Sequence, residues 1–198
     1  MLNSAIQLYE ALPLFETGLA MGLLLLLLHA LAWWQPGRAM ALLRASHRST
    51  AAGQLLLGLD MIWVALLLWN NPANPLRMPL FEFEGVRGIL LLLCPVVWFV
   101  LSTMVKPNLF ARALGLFILL AAIIPLSAAF LKEPLTRLLI PLWCYPALTA
   151  AMFWVAWPWL WRDAVEWLAQ HPRLFRALAA AGALYGAAMV ACALLFWR

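Results

Sequence analysis

The sequence predicts an all-α, polytopic integral membrane protein, folded as one six-transmembrane-helix bundle over residues 1–198. Three observations carry that prediction. Hydrophobic residues make up 67% of the chain and charged residues 11%, where soluble domains have about 25% charged residues, and the mean hydropathy is +0.93. The apolar runs are continuous and not alternating, which selects helices over the strands of a barrel. Each run is close to the ~20 residues that cross a ~30 Å hydrocarbon core at about 1.5 Å per residue.

Residues 1–16 (MLNSAIQLYEALPLFE) are mildly amphipathic and read as a surface segment. They carry Glu10 and Glu16 and no Lys or Arg, so they lack the basic head of a cleaved signal. The spans follow at about 17–34, 51–69, 88–105, 113–131, 138–161 and 177–197. Between the last two, residues 161–175 (WRDAVEWLAQHPRLF) read as a second amphipathic surface segment. Trp161, Val165 and Leu168 fall on one helical face there, and Pro172 is expected to end it. Prolines 95, 125, 141, 146 and 158 are expected to kink spans three to five, with span five locally broken because it holds three of them.

Basic residues set the expected orientation. The segments after spans one, three and five hold Arg38, Arg44, Arg48, Lys106, Arg112, Arg162, Arg173 and Arg176, eight in all. The other side holds five: Arg77, Arg87, Lys132, Arg137 and Arg198. The bias places both termini outside the cytoplasm of a cell membrane, a bacterial inner membrane being the expected setting. It also assigns the net charge of +5 to topology and headgroup contact, with no nucleic-acid partner. Glu16, Glu84 and Glu133 each stand near the start of a helix entering from the outer side, where the macrodipole favours a carboxylate.

Asp60 is the residue that breaks the pattern. It lies at the centre of AAGQLLLGLDMIWVALLLW, and an acid at a helix centre costs roughly 2.5–3.5 kcal/mol on insertion scales. Counting from the span ends puts Thr149 and Tyr185 near the same depth, so both are expected as hydrogen-bond partners. His29, about one turn from Trp33 near the inner end of span one, is expected to meet headgroups or an inner-loop group. Glu84, Arg87, Glu133 and Arg137 are candidates for an outer polar ring. Gly18 and Gly22 in span one, with Ala179, Gly182, Ala183, Gly186 and Ala187 in span six, form small-residue faces expected to pack helices closely.

Catalytic and metal signatures are missing from the sequence. Cys94, Cys144 and Cys192 lie in separate apolar runs, and the histidines at 29, 47 and 171 are scattered. There is no HExxH, GxSxG or glycine-rich phosphate loop, so neither an enzyme nor a bound cofactor or metal is expected. Spans so poor in polar groups suit lipid and helix contact. The expectation is a non-catalytic integral subunit or assembly partner of a larger membrane complex, with other membrane subunits as its partners. The alternative is a small transporter or channel that uses Asp60 as its coupling group.

Overall fold

The computed structural model describes residues 12–71, 74, 77–104 and 108–197. Among these the regular structure is helical, and six segments are long and apolar enough to cross a membrane. The first, α1 (Leu14–Trp34), starts at Leu14, not at 17, because the extended Pro13 serves as its N-cap and its carbonyl accepts from Thr17 N–H at 3.2 Å. Residues 14–16 therefore belong to the span. The rest of the expected N-terminal surface segment, residues 1–11, lies outside the described residues.

A helix not expected from the sequence follows, α2 (Pro36–Arg48), then α3 (Thr50–Leu68), whose first turn is capped by Ser49 accepting from Ala52 N–H. A 3₁₀ turn at Phe81–Val86 leads into α4 (Arg87–Met104), which contains Pro95. The fourth crossing is α5 (Leu109–Ala121) continued by α6 (Ile123–Ala129) after a one-residue interruption at Ala122. A break thus falls in span four. Pro125 has no N–H for the Ala121 carbonyl, so the ladder lapses there. The expected segment 138–161 is interrupted as well, at Trp157 and Pro158. A second 3₁₀ turn (Leu135–Leu138) opens α7 (Leu139–Ala156), and α8 (Trp159–Gln170) and α9 (Pro172–Phe196) complete the chain.

Three Xaa-Pro joints turn the chain between elements in the same way. Gln35, Trp157 and His171 have φ/ψ of −121/63, −126/74 and −122/67, and each precedes a proline. A residue before proline is driven out of the helical region, and proline is favoured in the first turn of the next helix. The same rule corrects two expected boundaries. Span five ends at Ala156, not 161, and the surface helix ends at Gln170, with Pro172 opening α9 five residues before the expected start at 177.

Two cores hold the bundle. The first lies among α1, α6, α7 and α9, built on Leu25, Ile140, Cys144, Met189, Ala193 and Trp197. The second lies where α3 meets α5, built on Leu57, Leu109 and Ala113, with Leu101 of α4 packed against it. Contacts between α5 and α7 join the two halves: a Cβ on Gly115 would stand 2.7 Å from the Ala151 carbonyl oxygen. At one end α2 and α8 pack on each other, tied by Arg44 Nη2 to Glu166 at 3.0 Å and by Trp161 Nε1 donating to Ser46 Oγ at 3.3 Å.

Candidate functional site

Gly53, Leu57 and Asp60 recur at spacings of four and three, so they share the buried face of α3. Gly53 lets that face lie on the α5 backbone, where a Cβ would come within 2.7 Å of Phe110 N. Leu57 packs on Leu109 and Ala113, and one turn beyond Asp60 the Trp63 ring meets Phe117 edge-on at 6.0 Å. On the α4 side, Trp98 Nε1 donates to the Gln54 carbonyl at 3.1 Å and Gln54 Nε2 to the Ser102 carbonyl at 3.2 Å. Arg87 donates to the Leu68 carbonyl at the far end of α3. These contacts make α3 and α4 antiparallel and set Asp60 roughly level with Cys94 and Pro95. Pro95 cannot donate to the Leu91 carbonyl, which leaves an unladdered acceptor in the same layer.

Asp60 is fully buried, and neither carboxylate oxygen has a hydrogen-bond partner among the described residues. The expected partners are engaged elsewhere. Thr149 is exposed and its hydroxyl bonds back to the Tyr145 carbonyl at 2.9 Å. Tyr185 belongs to the other core, where its hydroxyl donates to the Leu139 carbonyl at the start of α7. Two hydroxyls of α4 bond back in the same way as Thr149. Ser102 and Thr103 both donate to the Phe99 carbonyl in their own helix.

His29 packs into the bundle near the end of α1. Its Nδ1 lies 2.8 Å from the Leu25 carbonyl, and its ring fills the notch left by Gly182, where a Cβ would clash at 2.1 Å. It meets Trp143 edge-on at 5.7 Å, and Trp143 lies 5.5 Å from Tyr185. His29, Trp143 and Tyr185 thus form one aromatic column across α1, α7 and α9. No signal short of the three-dimensional packing joins them.

The outer ring is half assembled. Arg87 is buried, and it donates to both Glu84 oxygens at 2.7 and 2.6 Å and to the carbonyls of Leu68 and Met78 at 3.1 and 2.7 Å. It therefore clamps the segment before α4 to the end of α3. Glu133 and Arg137 form no ion pair among the described residues.

The small residues sort into two sets. Gly18, Gly22, Gly182 and Gly186 are all at the contact of α1 with α9: a Cβ on Gly186 would stand 2.4 Å from Leu26 N, and one on Gly22 3.0 Å from Val190 N. Ala179 is buried with them, but Ala183 is half-buried and Ala187 is exposed. The buried seam of α9 runs Phe175, Ala179, Gly182, Gly186, Met189 and Ala193, alternating steps of four and three. A row of strict fourth positions drifts about 40° per step around the helix, so the alanine row leaves the interface by Ala187.

Among the described residues no group of three or more His, Cys, Asp or Glu side chains could hold a metal. Comparison with protein-family models, curated proteins and solved structures yields no match. Function must rest on the geometry.

Proposed function

We propose that this chain is a non-catalytic integral membrane subunit or assembly partner of a larger membrane complex. The observation that supports it is the scatter of the polar side chains within the spans. Asp60 is buried on the face of α3 that meets α5, Thr149 is exposed, Tyr185 packs against the core of α1, α7 and α9, and the Thr149 and Tyr185 hydroxyls bond to backbone carbonyls. A solute path through hydrocarbon needs several polar groups converging on one axis. In this reading Asp60 marks the α3–α4–α5 junction as a packing or interface position. The Arg-rich end bearing α2 and α8 faces the cytoplasm of a bacterial inner membrane, which puts both termini on the opposite side.

One observation favours a second reading, a small transporter or channel: the Asp60 carboxyl is fully buried with both oxygens unpartnered. Proteoliposomes separate the two. The subunit reading expects the purified chain to carry protons and small ions no faster than empty vesicles. A flux that Asp60→Asn abolishes would replace it with the transport reading.

A further inference from the structure

At the Arg-rich end a cavity of about 680 Å³ opens among α1, α2, α5, α8 and α9. Its volume falls within the ~300–1,000 Å³ typical of small-molecule sites. Leu28, Leu43, Phe110, Leu168 and Phe175 contribute to its apolar wall. Most of the polar groups that reach it have partners within the chain. His29 Nδ1 faces the Leu25 carbonyl, and Ser46 donates to the Leu43 carbonyl while accepting from Trp161 Nε1.

Arg38 differs. It is exposed at the cavity's rim and donates one bond, from Nη1 to Gln35 Oε1 at 3.0 Å. A guanidinium has five N–H donors, so most of its capacity is uncommitted. Among the described residues no carboxylate pairs with it, whereas Arg44 and Arg162 at the same end have Glu166 and Asp163. An unpaired cation above an apolar chamber is complementary to an amphiphile with an anionic head and a hydrocarbon tail. Basic pockets between helices at a membrane's cytoplasmic face suit anionic headgroups for this reason.

We infer that this cavity is a binding site for an anionic phospholipid, with one acyl chain in the chamber and the phosphate at Arg38. The site is independent of whether the chain acts as a subunit or a transporter. The test is native mass spectrometry of the full chain, delipidated in detergent and titrated with phosphatidylglycerol or phosphatidylcholine. The wild type is expected to retain phosphatidylglycerol preferentially. Arg38→Gln is expected to reduce that preference about fivefold, the equivalent of ~1 kcal/mol per basic residue near an anionic headgroup. Arg173→Gln, which lies outside the cavity, is expected to leave it unchanged.

Filling the chamber with Ala39→Trp, or from the rim with Leu42→Trp, is expected to lower retention of both lipids severalfold. Leu42 is 71% exposed, so its variant tests the site without burdening the fold. Equal retention of the two lipids by the wild type overturns the proposal. So does a preference that survives Arg38→Gln, or retention that neither tryptophan changes.

Discussion

Gly186→Ala tests the tightest seam in the bundle. A Cβ at 186 would lie 2.4 Å from Leu26 N, 2.9 Å from Leu26 Cα and 2.9 Å from the Gly22 oxygen, all of them backbone atoms of α1. Ordinary van der Waals contact begins near 3.4 Å, so α1 and α9 must part by about 1 Å, the difference between 3.4 and 2.4 Å. No rotamer change can relieve a backbone clash. Overpacking of this kind costs about 1–3 kcal/mol, and the upper half of that range is expected here. Gly37→Ala is the matched control, because its Cβ would meet nothing within 4 Å. Removing glycine's backbone freedom from a helix there is expected to be neutral or to stabilise by up to ~1 kcal/mol. The assay is reversible unfolding of both variants in one detergent. Gly186→Ala within ~0.5 kcal/mol of the wild type, or more stable than Gly37→Ala, would refute the close α1–α9 approach.

Arg87→Gln removes charged donors from the buried carbonyls of Leu68 and Met78, and is expected to destabilise by about 2–3 kcal/mol. The same variant should speed amide exchange over residues 77–84, read by mass spectrometry. Tyr185→Phe loses a hydrogen bond to the Leu139 carbonyl and is expected to cost about 1 kcal/mol in the same unfolding assay. Arg44→Ala breaks a solvent-facing pair between α2 and α8 and should change stability by less than about 1 kcal/mol, with spin-label distances between the two helices unchanged. His29→Leu loses the contact with the Leu25 carbonyl and the edge-on contact with Trp143, and is expected to cost about 1–2 kcal/mol in the same unfolding assay.

The spans were legible in the sequence because length and continuous hydropathy decide them. What escaped has physical causes. The surface helix α2 reads as a loop since its thirteen residues, PGRAMALLRASHR, are too few and too polar to announce a span. Its apolar face becomes visible only as the wall of the cavity. Depth along a span is legible from counting, but rotation about the helix axis is not. Asp60, Thr149 and Tyr185 share a depth by counting, yet they face different neighbours. Likewise the Ala179–Ala183–Ala187 row has the right residue type, and the alternating three-and-four seam decides which of its members are buried. Distance from the span end gives the depth of His29 but not its neighbours, and only the packing shows its ring seated where Gly182 lacks a Cβ.

We propose that the chain serves as a fixed part of a larger assembly. Intact-complex mass spectrometry after gentle extraction from its native membrane tests that most directly. A subunit of this kind is expected in a defined complex in which this 22.2 kDa chain is accompanied by other membrane proteins at fixed stoichiometry. A lone monomer, or an oligomer of this chain alone, would contradict it.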